Sequence, residues 1–170
     1  MITNKCIMGR EGIQDALLIR REVFVQEQGV SPEEEFDCLD DRAFHLILYN
    51  DGVPAATGRL LYNGEYHIGR IAVRKNMRQK GLGDLVVRML LLRAFNDGAD
   101  LVTISAQTHA VPFYERFGFV SSGSPYQEAG IEHIFMSVTR DGLVFQSKCG
   151  SCTKDCVMRT GTVKQPLPQD

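Results

Sequence analysis

The chain has 170 residues, of which 44% are hydrophobic and 24% charged, and its formal net charge is −2. This size and composition fit one α/β domain with a core of ordinary size, and no extended basic face indicates a nucleic-acid partner. No apolar run approaches the roughly 18 residues that a membrane helix needs, and residues 1–8 lack the hydrophobic core of a signal peptide. We therefore expect a cytoplasmic protein with neither a nucleic-acid nor a membrane partner.

The first half of the chain predicts a strand, a helix and then several strands. Gly29 is expected to end the helix, because glycine adopts the left-handed conformation that follows many helices. Asn50-Asp51-Gly52 predicts a hairpin turn, since Asn and Gly tolerate the positive φ that such turns require. The predicted elements are, in chain order, a strand at 2–8, a helix at Ile13–Gln28, an irregular acidic segment at Ser31–Asp41, and strands at Phe44–Tyr49, Pro54–Leu61 and His67–Val73.

A basic, glycine-containing loop follows the last of these strands. The loop carries Arg74, Lys75, Arg78 and Lys80, contains Gly81 and Gly83, and opens into the helical run Asp84–Asn96. Backbone N–H groups at a helix start lack intrahelical acceptors and lie at the positive end of the helix dipole, so they can bind phosphate oxygens. Neither a P-loop nor a dinucleotide fingerprint fits the spacing, because no Gly-Lys-Ser/Thr and no third glycine follow.

The second half of the chain alternates helices with strands. Leu85, Met89, Leu92 and Phe95 have the spacing of a core-facing helix. A mixed sheet flanked by helices fits this order of elements. The predicted elements are a helix at Leu85–Phe95, a strand at Leu101–Ala106, a helix at Ala110–Phe117, a turn-rich connection at Val120–Ser124 and a strand at Ile131–Thr139.

Two motifs give the chain a specific resemblance. Arg78-x-x-Gly81-x-Gly83 resembles the pyrophosphate loop of the GCN5-related N-acetyltransferases (GNAT), and Gln107–Phe119 resembles that family's motif ending in Phe-Tyr-x-x-x-Gly-Phe. The resemblance covers residues 1–140 and implies a GNAT-type mixed, mostly antiparallel sheet flanked by helices, with splayed central strands. Further segments resemble the ElaA/YjcF-like branch of the family, namely Val23–Val30, Phe36–Asp41, His45 and Gly130–Met136.

The resemblance implies acetyl-CoA as cosubstrate. It places the backbone of Ile71–Val73 along the pantetheine arm, with the Val73 N–H directed at the thioester carbonyl, and it places the loop Arg78–Gly83 around the pyrophosphate. Asp84 departs from the small neutral or basic residues common after this loop, so its side chain is expected to point away from the phosphate. The residues expected to contact acetyl-CoA are Ile71, Ala72, Val73, Arg78, Gln79, Lys80, Gly81, Leu82, Gly83, Asp84, Gln107 and Tyr114.

Tyr114 occupies the position where many members of the family carry the group that protonates or hydrogen-bonds the departing thiolate. Its alternative role is that of a core aromatic residue beside Phe113, Phe117 and Phe119. A lysine-like amine is protonated at neutral pH, so a proton acceptor is also required. The candidates are Glu27, His109, Glu128 and His133, of which we select Glu27 and His133; His45 is expected to be structural.

The acidic segment Ser31–Asp41 carries six carboxylates and allows two interpretations. Charged runs usually face water, which predicts a solvated loop. The family resemblance instead predicts one wall of the acceptor cleft, where carboxylates would attract a cationic amine.

The last thirty residues lie outside the resemblance and contain Cys149, Cys152 and Cys156. Three thiols do not complete the four ligands of a zinc site, so no metal is assigned. Solvated thiols, a metal site completed by Cys38, a histidine or a partner chain, and a redox pair all stay open. We expect residues 141–170 to form a cysteine-containing extension that lacks fixed structure beyond Arg159.

These observations predict an enzyme that transfers the acetyl group of acetyl-CoA to a primary amine of a small molecule, by direct attack in a ternary complex. One alternative is a non-catalytic acyl-CoA-binding sensor with a metal- or redox-responsive tail. Another is transfer to a protein or peptide amine. The sequence leaves open whether the protein forms a homodimer.

Overall fold

The computed structural model describes residues 1–144, so Cys149, Cys152, Cys156 and the predictions made for them lie outside the described residues. The described chain forms a seven-stranded sheet in the order β1-β2-β3-β4-β5-β7-β6. Only β4 and β5 pair in parallel; all other neighbours are antiparallel. The strands are β1 Ile2–Met8, β2 Phe44–Asn50, β3 Val53–Tyr62, β4 Tyr66–Val73, β5 Leu101–Gln107, β6 Val120–Glu128 and β7 Ile131–Thr139.

Helices cover both faces of the sheet, which confirms the predicted mixed, mostly antiparallel architecture. None of the helices within residues 1–144 is both long and apolar enough to span a bilayer. The helices are α1 Gln14–Arg20, a π-helix Arg21–Glu27, α2 Pro32–Glu35, α3 Leu82–Asn96 and α4 Val111–Glu115, with short 3-10 helices at Cys38–Arg42, Lys75–Met77 and Thr108–Ala110.

Alternation along the strands divides the core into two clusters. Leu46 and Leu48 of β2 face α3, whereas Ile47 between them packs with the residues of α1. Gly58 of β3 allows α3 to approach closely, because a Cβ at this position would lie 2.6 Å from Cγ1 of Val86. The close packing of α3 on β3 fixes the start of this helix beside the end of β4.

The predicted hairpin turn is confirmed, because Asp51 and Gly52 have φ of 50° and 78°. The predicted helix Ile13–Gln28 is present, but its second half is π-helical, with the Gln28 N–H bonded to the Val23 carbonyl. Hydrophobic spacing could not separate the two helix types, since both place an apolar face on the sheet. Gly29 follows with φ of 75°, as expected.

The turn-rich connection predicted at Val120–Ser124 is wrong. Residues Val120–Glu128 form β6, the edge strand of the sheet, which is exposed along almost its whole length. An edge strand exposed on both faces has no hydrophobic alternation to reveal it. Its pairing with β7 shifts register between Ser122 and Tyr126, and such an irregular edge tolerates Gly123 and Pro125.

The parallel pairing of β4 and β5 is short. It joins Tyr66–Ile68 to Val102–Ile104 and does not continue to the ends of the two strands. The predicted splaying of the central strands is therefore present, and it opens a cleft between them.

Candidate active site

The cleft between β4 and β5 has a volume of about 1480 Å³. Its wall is built from the π-helix, the end of β4, the start of α3, the end of β5, α4 and the β6–β7 hairpin. Every residue predicted to contact acetyl-CoA lines this cleft except Lys80, whose ammonium nitrogen lies 3.7 Å from the Met77 sulfur. The four candidates for proton acceptor also line it, namely Glu27, His109, Glu128 and His133.

The end of β4 turns backbone groups away from β3 and toward the cleft. The Arg74 N–H donates to the Ala55 carbonyl at 3.0 Å. Val73, the residue before it, lies opposite Ala56 in the antiparallel pair of β3 and β4. Because hydrogen-bonded and non-hydrogen-bonded positions alternate in such pairs, the Val73 N–H and C=O point away from β3 and toward the gap beside β5. The Val73 carbonyl there accepts a hydrogen bond from Nε of Arg78 at 3.1 Å.

The start of α3 is an uncapped helix terminus. Gly81 is the N-cap residue with φ of 76°, and no side chain within residues 1–144 caps the first turn. The first intrahelical bond runs from the Leu85 N–H to the Gly81 carbonyl at 3.0 Å, so the N–H groups of Leu82, Gly83 and Asp84 have no acceptor within the helix. This positive helix end forms part of the cleft wall.

Gly81 and Gly83 serve different purposes. The positive φ of Gly81 favours glycine directly. A Cβ added to Gly83 would make only ordinary contacts, 3.5 Å from Cγ2 of Val73 and 3.6 Å from Cζ of Phe113. A side chain at residue 83 therefore fits among the neighbouring protein atoms.

Charged partners surround this helix start. Glu27 of the π-helix forms two hydrogen bonds of 2.7 Å with the Arg78 guanidinium, which lowers the pKa of the Glu27 carboxyl. Asp84 pairs with Arg88 at 2.5 Å and with Arg116 at 3.1 Å. Two arginines thus offset the negative charge of Asp84 beside the helix start.

Tyr114 lies in an aromatic group at the cleft wall. Its ring contacts Phe113 and Phe119 edge to face, with centroid distances of 5.0 and 6.0 Å. Within residues 1–144 the Tyr114 hydroxyl has no hydrogen-bond partner, and burial raises its pKa to about 12. The ring packs as a core aromatic does, while the hydroxyl is available to a ligand.

His133 of β7 presents one ring nitrogen to the cleft. Its Nδ1 lies 2.8 Å from the Ile131 carbonyl, and because a carbonyl only accepts, Nδ1 carries the proton and donates it. Nε2 of the neutral ring is then an acceptor. His133 pairs with Gln107 at the end of β5, where β4 and β5 have already diverged.

His67 of β4 is a cleft residue that the sequence analysis did not select. Its Nδ1 lies 3.0 Å from the Thr103 hydroxyl oxygen, and that hydroxyl donates to the Tyr66 carbonyl at 3.3 Å. The Nδ1–H of His67 must therefore donate to Thr103, which leaves Nε2 as an acceptor. Burial lowers the pKa of His67, so the ring is neutral at pH 7. The available signal was alternation, since His67 lies between the core-facing Tyr66 and Ile68.

The side chain of Gln107 joins the two sides of the cleft. Its Nε2 donates to Oε1 of Gln28 at 3.0 Å, which connects the end of β5 to the residue after the π-helix. His45 lies outside the cleft wall, is buried, and has Nε2 within 3.0 Å of the Asp40 carbonyl, as expected of a structural residue.

Half of the carboxylates in the acidic segment are paired with arginines. Glu35 and Asp40 bind Arg20, Asp37 and Asp40 bind Arg59, and Glu35 and Asp37 bind Arg70. Arg20 and Asp40 are 1% and 0% exposed. The interpretation as a solvated loop is therefore wrong for these three carboxylates. The arginines that pair with them come from α1, β3 and β4, too far away in sequence for the pairs to be predicted.

Comparison with known proteins identifies the family. Residues 8–140 match the family model described as an acetyltransferase (GNAT) domain. This chain belongs to the GNAT acetyltransferase family. It is 38% identical over 128 residues to YjcF of Bacillus subtilis strain 168, named as an uncharacterized N-acetyltransferase, and the match covers 74% of this chain and 91% of YjcF.

Two solved structures show the same GNAT fold. The crystal structure of an acyl-CoA N-acyltransferase from Pseudomonas aeruginosa has a TM-score of 0.72 and 34% identity, covering 81% of this chain and 99% of that one. Escherichia coli ElaA has a TM-score of 0.72 and 27% identity over the same shares. The resemblance to the ElaA/YjcF-like branch is confirmed, and the chain is an acyltransferase of a family that uses acyl-CoA.

Proposed function

We propose that this GNAT protein transfers the acetyl group of acetyl-CoA to a primary amine of a small molecule in the cytoplasm, by direct attack in a ternary complex. One observation supports this most strongly: the start of α3, uncapped within residues 1–144, and the Val73 N–H, which points away from β3, face the same cleft. The first group can bind a pyrophosphate and the second can stabilise the oxyanion of a thioester under attack.

The proposed acetyl-CoA contacts follow the chain from β4 into α3. The N–H groups of Leu82, Gly83 and Asp84 hold the pyrophosphate together with the Arg78 guanidinium. The backbone of Ile71, Ala72 and Val73 holds the pantetheine arm in the gap between β4 and β5, with Gln107 opposite. Gln79 and Gly81 shape the loop through their positive φ of 62° and 76°.

We assign Tyr114 to the leaving sulfur. A phenol whose pKa is about 12 keeps its proton at neutral pH, and a thiol has a pKa of about 8.5. Complete proton transfer from the phenol to the thiolate is therefore uphill. Tyr114 acts as a hydrogen-bond donor that stabilises the developing thiolate, and the acceptor's proton can reach the sulfur afterwards.

We assign His133 to the acceptor amine. Its Nε2 is a lone-pair acceptor on the cleft, and the ring lies level with the diverged end of β5 rather than with the paired segment where His67 lies. Glu27, the other selected residue, is already bound to Arg78, and its lowered pKa makes it a weak base. We therefore propose that Glu27 positions Arg78.

A thiol-release assay with acetyl-CoA and a panel of amines, amino acids and peptides tests this proposal. We expect release of CoA from acetyl-CoA that depends on an added small amine. Mass spectrometry should then detect the N-acetyl product. Binding of CoA without turnover of any amine would instead indicate a non-catalytic acyl-CoA sensor. Turnover confined to peptides would indicate a protein or peptide N-acetyltransferase.

A further inference from the structure

Arg70 has an unusual backbone conformation on the wall of the cleft. It lies in the middle of β4, yet its φ is 52°, in the left-handed region that side-chain-bearing residues rarely adopt. The register between β3 and β4 shifts at this point, as it does at a β-bulge. Bulges beside active sites re-aim a side chain, and strained residues of this kind concentrate at functional sites.

Two of the three guanidinium nitrogens of Arg70 have partners among the described residues. Nε lies 2.9 Å from a carboxylate oxygen of Glu35, and Nη2 contacts the Glu34 carbonyl at 3.0 Å and the Asp37 carboxylate at 3.2 Å. Nη1 has no hydrogen bond within the described part of the chain, and the side chain is 22% exposed, where it lines the cleft. One donor nitrogen of a cationic group on the cleft wall thus has no partner among the described residues.

The charges around this nitrogen are balanced, and burial removes water from the arginine. Arg20, Arg59 and Arg70 balance Glu35, Asp37 and Asp40 one for one, and burial lowers the pKa of Arg70 and raises that of Glu35. An anion at Nη1 would replace hydration that Arg70 loses on burial. A purely cationic acceptor would be repelled by this arginine.

Groups that suit an amine line the same cleft. They are the carboxylates of Glu34 and Glu128 and the imidazoles of His67 and His133. The cleft therefore offers one cationic donor together with several acceptors. This combination matches a molecule that carries both signs of charge.

We propose that the acceptor is a small amino acid, whose carboxylate binds Nη1 of Arg70 while its amine attacks the thioester. A carboxylate suits this position better than a phosphate, because Glu35 and Asp37 already lie against Arg70 and would repel a doubly charged anion. A peptide N-terminus lacks a carboxylate beside its amine and is disfavoured. This inference rests on the proposed acetyltransferase function.

The test compares matched acceptors in the thiol-release assay. The panel contains the common L-amino acids, β-alanine and 4-aminobutyrate, each with its carboxamide and its decarboxylated amine. We expect the wild type to prefer the carboxylate form by about 10- to 100-fold in kcat/KM, as for a charge-assisted hydrogen bond. In Arg70→Gln the ratio of kcat/KM for each carboxylate to that for its carboxamide should fall to about one, because KM rises for the carboxylate form. Arg70→Lys should keep part of the preference.

Arg42→Gln is the matched control, because Arg42 is an exposed arginine outside the cleft wall. Melting curves with and without CoA show whether each variant is folded. Equal use of carboxylates and carboxamides by the wild type, or an equal loss on all three acceptor forms in folded Arg70→Gln, would overturn the inference.

A second measurement separates this inference from the proposed function. CoA-loaded protein is melted with the N-acetyl amino acids and with the corresponding N-acetyl amino-acid amides, which needs no turnover. We expect stabilisation by the acids that exceeds that by the amides and that disappears in Arg70→Gln. If no acceptor releases CoA, the acetyltransferase proposal fails, and equal melting shifts for acids and amides would overturn the role of Arg70 independently.

Discussion

The partners of individual side chains separate reactive groups from positioning groups in this cleft. Tyr114 has an unpartnered hydroxyl within the described residues, and His133 has its Nδ1 proton fixed by the Ile131 carbonyl. Glu27 and Asp84, in contrast, are already bound to arginines. The two unengaged groups are therefore the ones to which we assign chemistry.

Tyr114→Phe should bind CoA normally but turn over more slowly. The substitution keeps the ring that packs against Phe113 and Phe119 and removes only the hydroxyl. A preorganised hydrogen-bond donor to a developing anion is worth about 10²- to 10³-fold, so kcat should fall within that range while the melting temperature stays unchanged. Steady-state kinetics and a CoA titration measure both quantities. Unchanged kcat per folded molecule would return Tyr114 to a packing role.

His133→Ala should lower kcat by about 10²-fold or more, and added imidazole should restore part of the rate. A base must lose its proton before it can accept one from the amine, so kcat of the wild type should rise with pH and then level off. His67→Ala is the comparison, because the pKa of His67 is lowered and a limb due to His67 would lie below its ordinary value. A pH limb that persists in His133→Ala and is lost in His67→Ala would reassign the base to His67.

At the scale of elements, the junction of β4 with α3 positions the proposed cosubstrate. Gly81 ends the loop in a left-handed conformation, and α3 then starts with three N–H groups that have no intrahelical acceptor. Gly58 lets α3 pack closely on β3, which holds that helix start beside Val73. The pyrophosphate and thioester sites are thus set by the same packing contact.

Gly83→Ala should strengthen the fold and weaken the binding of CoA. A Cβ at residue 83 fits among the neighbouring protein atoms, and alanine in a helix is favoured over glycine by about 0.5–1 kcal/mol. The same Cβ would hold a phosphate away from the first N–H groups, so the Kd for CoA should rise by about tenfold or more. Calorimetric titration and thermal unfolding test the two effects separately. An unchanged Kd would show that the pyrophosphate does not bind at the start of α3.

Elements with a strong local signal could be predicted from the sequence. The strand that ends at Val73, the glycine loop, the helix that follows it and the Asp51-Gly52 turn all depend on periodicity or on φ. The edge strand β6 was missed because neither of its faces is buried. The arginine pairs of Glu35 and the contact between Glu27 and Arg78 join residues far apart in sequence, so only the folded chain reveals them.

At the scale of the whole molecule, the π-helix lies on one side of the cleft and β5 and α3 lie on the other. Two side-chain contacts connect these sides. Arg78 binds Glu27, and Gln107 binds Gln28. Both contacts involve residues assigned to acetyl-CoA. Binding of the cosubstrate should therefore reorganise these side chains while it adds contacts to both sides.

CoA and acetyl-CoA should each raise the melting temperature of the protein. A ligand that binds only the native state stabilises it by about 2.7 kcal/mol at a concentration of 100 times its Kd. For a domain of this size, each kcal/mol moves the midpoint by about 2–4 °C, which predicts a shift of about 5–10 °C. Dephospho-CoA should behave similarly and pantetheine much more weakly, because only the former carries the pyrophosphate that the α3 start is proposed to hold. Identical melting curves with and without saturating CoA would contradict the assigned cosubstrate site. Equal shifts with CoA and pantetheine would contradict only the proposed binding of the pyrophosphate at the start of α3.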